Sequence, residues 1–198
     1  MKRVISNKNN LQILFEDNHL IAINKRCGDI VQGDKTGDSP LSDIVKSYIK
    51  TKYSKQGNVY LGTPHRLDRP TSGVVIFAKT SKSLVRLNKL FKSGKVQKFY
   101  WAITKQKPGK LQDTLTHWLR KNEKNNKSTH FKKETEKAKK AVLHYKIIKE
   151  LDRYFLLQIE LETGRHHQIR CQLSAIGCPI KGDLKYGYDR SNNDGGID

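Results

Sequence analysis

Apolar residues recur along this chain with two alternating periods, and together they predict a mixture of strands and helices. Leu11-Gln12-Ile13-Leu14-Phe15 and Leu20-Ile21-Ala22-Ile23-Asn24 are short β-favouring runs joined by the polar Glu16-Asp17-Asn18, the pattern of a hairpin. From Leu41 the period lengthens. Leu41, Ile44, Val45, Tyr48 and Ile49 share one helical face behind Ser39 as N-cap and Pro40 in the first turn, which leaves Lys46, Lys50 and Lys52 on the solvated side. Val74-Val75-Ile76-Phe77-Ala78 reads as a buried strand. Ser81 then caps a second helix that turns Leu84, Leu87, Leu90 and Phe91 inward and ends at Gly94.

The C-terminal half continues in strands. Side chains alternate along Lys98-Phe99-Tyr100-Trp101-Ala102-Ile103, so Tyr100 points away from Phe99 and Trp101; with those two in the core, Tyr100 looks into a cleft. Between Pro108 and Lys140 the apolar pattern weakens, and Leu119 to Lys140 holds nine Lys/Arg against three Glu. This stretch reads as a basic surface insertion, with Lys121 to Lys127 loop-like. Ala141 to Ile148 and Tyr154 to Leu161 are two more strands turning at Glu150-Leu151-Asp152-Arg153. Thr163-Gly164 breaks the second, and Ile169, Leu173 and Ile176 mark a helix closed by Gly177, with Arg170 in its early turns.

Composition narrows the partners. A chain of 198 residues with 35% hydrophobic positions suits one domain with a real core. Its 39 Lys/Arg against 19 Asp/Glu give +20, which points to a polyanion; nucleic acid fits better than a membrane because no basic segment is also strongly amphipathic. Cys27, Cys171 and Cys178 form no C-x-x-C pair, so neither a disulfide framework nor a zinc ribbon fits, and a reducing cytoplasm is expected. Met1 to Asn10 has no apolar core of a signal peptide, and no later run is long enough to span a bilayer. His65, His166 and His167 lack the carboxylate or cysteine partners of a metal signature, and Gly28, Gly33 and Gly37 match neither a dinucleotide fingerprint nor a P-loop.

The chemistry centres on Pro64-His65-Arg66-Leu67-Asp68-Arg69-Pro70-Thr71-Ser72-Gly73, the polar loop feeding the Val74 strand. One carboxylate and two guanidinium groups sit within four residues, with Pro70 fixing the backbone and Gly73 leaving room where the strand begins. On residue types alone this is an Asp/Arg-decorated turn. Its sequence, however, resembles the catalytic motif of the RluA family of large-subunit rRNA and tRNA pseudouridine synthases. Lys98-Phe99-Tyr100-Trp101-Ala102 resembles the family's K-x-Y-x-A segment, and Thr163-Gly164-Arg165-His166-His167-Gln168-Ile169-Arg170 its T-G-R-x-H-Q-I-R. The resemblance runs from about Leu11 to Tyr186 and includes Gly177-Cys178-Pro179-Ile180-Lys181-Gly182-Asp183.

That resemblance implies an α+β pseudouridine synthase catalytic fold with a mixed, largely antiparallel central sheet flanked by helices. It implies a tail over 1–10, a catalytic domain over 11–188 carrying the basic insertion at about 108–140, and a tail over 189–198 lacking the family's further strand. A sheet edge is then left open. A separate S4-type RNA-binding domain is not expected, since about ten residues precede Leu11. The implied activity is isomerisation of uridine in structured rRNA or tRNA by a cytoplasmic monomer, without cofactor or metal. Asp68 is the implied catalytic carboxylate, Arg170 the group that ion-pairs with it, Tyr100 the residue that packs against the base, and Arg66 the side chain that fills the space left by a flipped nucleotide. Arg165 fits RNA binding or local structure equally. Lys132, Lys133, Lys139 and Lys140 are expected phosphate contacts.

A carboxylate suits the reaction as a nucleophile toward the sugar or the uracil ring, or as a base promoting elimination, and the sequence leaves these routes open. Two positions depart from the family pattern, His166 for threonine and Gln172 for histidine. Two other classes remain. One is an RNA-binding protein that keeps the fold without catalysis; the other is a retaining glycosidase, for which no second carboxylate is evident.

Overall fold

A computed structural model describes residues 4–33 and 37–198, so Met1 to Arg3 of the expected N-terminal tail lie outside the described residues. The chain divides into two compact units, Met1–Lys95 with Asn193–Gly196, and Val96–Asn192 with Ile197–Asp198.

In the N-terminal unit the expected hairpin forms from β1 (Ile13–Glu16) and β2 (Leu20–Lys25), and β3 (Gly73–Ala78) pairs antiparallel with the other side of β2. The Asp17 carboxylate fixes the hairpin turn by accepting the His19 and Leu20 N–H groups at 2.7 and 2.6 Å. Period-2 alternation puts Ile21 and Ile23 beside Val75 and Phe77, and α1 (Leu41–Lys52) buries Leu41, Val45 and Ile49 among them. Each of these side chains is shielded almost wholly from water and contributes roughly 1.5–3 kcal/mol.

The start of α1 differs from the expectation. Pro40, not Ser39, is the N-cap and no side chain caps it; the Ile30 and Val31 carbonyls instead accept the Leu41 and Ser42 N–H groups at 2.7 and 3.2 Å, which removes the need for a polar cap. Glu16 ties β1 to α1 and to the end of β3 by accepting from Tyr48, Lys52, Tyr53 and Lys79. Burial opposes ionisation there, but these four donors outweigh it and hold the carboxyl down at about 2.

Helix α2 (Ser81–Lys92) is capped one residue earlier than expected. Thr80 Oγ1 accepts the Ser83 N–H at 3.1 Å while Ser83 Oγ accepts the Thr80 N–H at 3.2 Å, a reciprocal capping box. The helix ends as expected: Gly94 takes φ +69°, and the N–H groups of Gly94 and Lys95 return to Phe91 and Leu90. Leu87 is buried and Leu84 and Phe91 half-buried, but Leu90 faces solvent.

The C-terminal unit is a five-stranded sheet in the order β4-β8-β7-β5-β6, comprising β4 (Phe99–Thr104), β5 (Gln112–Asn122), β6 (Lys127–Phe131), β7 (Lys139–Glu150) and β8 (Phe155–Leu161). The α+β class and the antiparallel pairing are as expected, but the strands are shared between two sheets and every ladder is antiparallel. Leu115, Leu143, Tyr145, Leu157, Ile159 and Leu161 make the core with Leu173 of α3 (Gln168–Ala175).

Two expectations fail in this unit. Tyr100 does point away from Phe99 and Trp101, yet Tyr100 and Ala102 take the inner face, beside wholly buried Ile159 and Leu157. Phe99 is 53% and Trp101 72% exposed. The stretch from Pro108 to Lys140 is no irregular insertion: it supplies β5, β6 and the start of β7. Only Leu115 and Leu119 of β5 are buried, so charged outer positions drown the strand period. The 189–198 segment is also engaged, because Ile103 donates its N–H to the Asp198 carbonyl at 2.9 Å along the outer side of β4.

Candidate active site

Asp68 lies in the N-terminal unit, half-buried, in a four-residue turn closed by the Thr71 N–H on the Asp68 carbonyl at 3.1 Å. Several contacts lock the loop around it. The side chain of Leu67 packs on the α1 core. His65 stacks on Phe91 at 4.9 Å and accepts the Ile76 N–H on Nε2 at 3.0 Å, so that nitrogen carries no proton and burial lowers the pKa of the ring. The Arg69 guanidinium pairs with Asp38, and the Arg69 carbonyl accepts the Gly28 N–H at 2.7 Å. Gly73 adopts φ +132°, a conformation that L side chains avoid, as the chain enters β3. Arg66 is exposed on the same loop.

Lys25, which the sequence reading left unassigned, holds this loop from beneath. It is wholly buried at the end of β2, and its Nζ donates to the carbonyls of Arg26, Arg69 and Thr71 at 3.1, 3.2 and 2.6 Å. Two of those acceptors flank Asp68 by one and three residues, so a single ammonium fixes the backbone on its C-terminal side. A lysine in phase with the apolar Ile21 and Ile23 of β2 was the available signal. Lys25→Met should keep the stem but leave three carbonyls short of a donor, lowering stability by roughly 1–3 kcal/mol and opening residues 69–71 to protease. An unchanged melting temperature and cleavage pattern would refute this role.

The C-terminal unit carries Tyr100, Arg165, Arg170 and the four lysines. Tyr100 packs against the sheet core through the inner face of β4. Arg170 is buried in the first turn of α3, where Nε and Nη2 donate to Asp183 at 2.7 and 2.8 Å, a two-pronged ion pair with a carboxylate only 1% exposed. The Tyr186 ring lies 5.0 Å from the guanidinium. The sequence motifs give Asp183 no role, and its partnership with Arg170 emerges only from the fold.

A hydrogen-bonded network of two histidines adjoins this pair. Tyr186 Oη accepts the Ser128 N–H at 2.8 Å and lies 2.9 Å from His167 Nδ1. His167 is buried beside it. Burial, then the charges of Arg170, His166 and Lys185, push its pKa down to about 3. It adopts φ +51° before α3 and stacks on His166 at 3.7 Å, while Ser128 Oγ meets His166 Nδ1 at 2.9 Å. His65 and His117 are lowered as well, both chiefly by burial. The unfolded chain takes up protons below about pH 6.5 that folded His167 refuses until about pH 3, so stability is fullest above 6.5 and falls with acidification, by about 1 kcal/mol per pH unit for this group. The melting temperature should drop between pH 7.5 and 5.0; a flat profile would exclude a neutral His167.

Exposed Arg165 donates its side-chain Nε to the Lys140 carbonyl at 2.9 Å and its backbone N–H to Gln168 Oε1 at 2.9 Å. Lys132 and Lys133 follow β6, Lys139 and Lys140 open β7, and all four are exposed. Gln172 is wholly buried, donating to the Leu115 carbonyl at 3.0 Å. No helix is long and apolar enough to cross a membrane, and no group of three or more His, Cys, Asp or Glu is placed to hold a metal, among the described residues.

The family model described as RNA pseudouridylate synthase matches residues 19–175. The chain is 36% identical over 176 residues to ribosomal large subunit pseudouridine synthase C of Rickettsia prowazekii (strain Madrid E), covering 88% of this chain and 56% of that protein. It is 34% identical over 182 residues to ribosomal large subunit pseudouridine synthase D of Zymomonas mobilis subsp. mobilis (strain ATCC 31821 / ZM4 / CP4), covering 91% and 57%. It thus spans little more than half the length of these relatives. Human RNA pseudouridylate synthase domain containing 4 superposes with a TM-score of 0.76 at 28% identity, over 90% of this chain and 70% of that one. Human RNA pseudouridylate synthase domain containing 1 shares the fold, with a TM-score of 0.75 at 20% identity over 94% and 73%.

Proposed function

This chain belongs to the RNA pseudouridylate synthase family, and from that premise we propose that it isomerises particular uridines of structured ribosomal RNA to pseudouridine with Asp68 as the catalytic carboxylate. The observation that carries the reading is the anchoring of Asp68 itself: a carboxylate on a loop fixed by a buried lysine, a backbone turn and an arginine ion pair. A decorative surface turn has no need of such support. Large-subunit ribosomal RNA is the first substrate to test, because the relatives are named for the ribosomal large subunit.

The reaction conserves atoms. The N1–C1′ bond breaks, the uracil turns, C5 joins C1′, and a proton leaves C5 while N1 gains one. No electrons are exchanged with an outside acceptor, so a carboxylate and an ordering pocket suffice. Asp68 begins the sequence as nucleophile or base. Tyr100 packs the base and Arg170 supports the carboxylate, as the motif resemblance assigns them. Arg170 would do so with Nε and Nη2 already committed to Asp183, which fixes the plane of its guanidinium. A stacked uridine must leave its helix to reach a carboxylate, and exposed Arg66 is suited to fill the space it vacates.

The test is to incubate the protein with an unmodified large-subunit ribosomal RNA transcript and, in parallel, with unmodified transfer RNA, and to map pseudouridine at single-nucleotide resolution. Site-specific pseudouridine in the ribosomal transcript is expected. Tight binding of both RNAs with no pseudouridine in either would replace this reading with that of an RNA-binding protein without catalysis.

A further inference from the structure

Not one acidic residue occurs between Asp68 and Asp113, while eleven Lys/Arg do: Arg69, Lys79, Lys82, Arg86, Lys89, Lys92, Lys95, Lys98, Lys105, Lys107 and Lys110. The folded chain treats these charges in two ways. Arg69, Lys79, Lys105, Lys107 and Lys110 each reach a carboxylate, on Asp38, Glu16, Asp189, Glu150 and Asp113. The other six reach none within ion-pair distance among the described residues; Lys98 is half-buried, whereas Lys82, Arg86, Lys89, Lys92 and Lys95 are exposed.

Four of the five belong to α2, where they form a ridge. Lys82, Arg86 and Lys89 stand at i, i+4 and i+7, within one narrow arc of the helix, and Lys92 extends the row to about 15 Å along the axis. Ser83 and Leu87 are buried on the opposite face. A polar outer face is required of any such helix, but a face of one sign is not: neighbouring charges at these spacings repel, and Lys82 sits in the first turn, where the helix dipole disfavours a cation. Helix α1 in the same unit shows the ordinary solution, since its Lys46 pairs with Asp43 and its Lys52 with Glu16. The ridge is also rigidly mounted. The Thr80–Ser83 box fixes its start, and only Lys79 and Thr80 separate α2 from β3, the strand fed by the Asp68 loop.

We propose that the exposed face of α2, Lys82, Arg86, Lys89 and Lys92, is a docking ridge for the phosphate backbone of the RNA substrate. This rests on the RNA substrate proposed above and adds a surface that the sequence motifs do not touch. A row of unpaired cations fits a polyanion by charge, and a sugar-phosphate strand supplies the regularly spaced negative charge that would relieve its self-repulsion.

The test compares wild type with Lys82→Gln, Arg86→Gln, Lys89→Gln and Lys92→Gln combined, since glutamine stays polar and keeps helix propensity while removing charge. A second variant, Lys82→Arg, Lys89→Arg and Lys92→Arg combined, keeps the charge. The probe is an unmodified large-subunit ribosomal RNA transcript, with affinity measured across salt concentration and pseudouridine formation at saturating RNA. The glutamine variant should bind with a log-affinity against log-salt slope shallower by roughly 3–4, about 0.9 for each lost phosphate contact, while turnover at saturation persists. The arginine variant should keep the wild-type slope. Because like-charge neighbours are removed, the melting temperature of the glutamine variant should hold or rise. A wild-type slope in the glutamine variant would show the ridge to be merely solvated, and a lowered melting temperature would show that its charges serve the fold; either result overturns the proposal. The two readings fail separately: pseudouridine formation with an unaltered slope sinks the ridge alone, whereas a shallower slope in a protein that makes no pseudouridine sinks the catalytic reading alone.

Discussion

Asp68→Asn is expected to leave the melting temperature and RNA affinity near wild type and to lower turnover by a factor on the order of a thousand or more. The amide keeps the size and planarity of the carboxylate but is neither a competent nucleophile nor a base. The loop should be indifferent to the change, because what holds it is backbone and neighbouring side chains: the Asp68 carbonyl closes the turn, Lys25 grips the carbonyls of Arg69 and Thr71, and Arg69 pairs with Asp38. Single-turnover rates on the ribosomal transcript, with a melting curve on the same sample, test it. Turnover within tenfold of wild type in a pure preparation would remove Asp68 from the chemistry.

Arg170→Ala should produce the second largest effect, first on stability. Asp183 is 1% exposed, and removing Arg170 strands its charge in the interior, at a cost of about 3–5 kcal/mol. Loss of activity in that variant would therefore say little about catalysis. The informative protein is the double variant Arg170→Met with Asp183→Leu, which removes both charges and should recover most of the lost stability. If Arg170 acts on the reaction, turnover stays lost in this refolded variant; recovery of turnover with stability would make the ion pair purely structural. Arg170→Lys should rescue neither property well, since a point charge cannot reproduce the paired Nε and Nη2 contacts.

Elements whose signal is local were legible in the sequence. The β1–β2 hairpin, the apolar run of β3, the buried stripe of α1 and the glycine stop of α2 all depend on side chains a few positions apart. What the sequence hid depends on distant partners. Ser39 looked like the cap of α1, but the carbonyls of Ile30 and Val31 do that work. Alternation fixed Tyr100 opposite Trp101 without saying which side faced the core, because that choice belongs to Leu157 and Ile159 on β8. The strands of the lysine-rich stretch were masked because only one face of β5 is apolar, and only in part. Lys25 and Asp183 escaped for the same reason: each is one charged residue in an unexceptional context until the fold brings three carbonyls or a guanidinium to it.

Both tryptophans, Trp101 and Trp118, belong to the C-terminal unit, one on the outward face of β4 and the other on β5. Indole emission from this protein consequently follows the five-stranded sheet and is blind to the unit that carries Asp68, whereas far-ultraviolet dichroism weighs α1 and α2 heavily. Denaturation curves from the two signals overlay only when both units melt in one transition, and a separation between them would measure directly how independently the Asp68 loop can come undone.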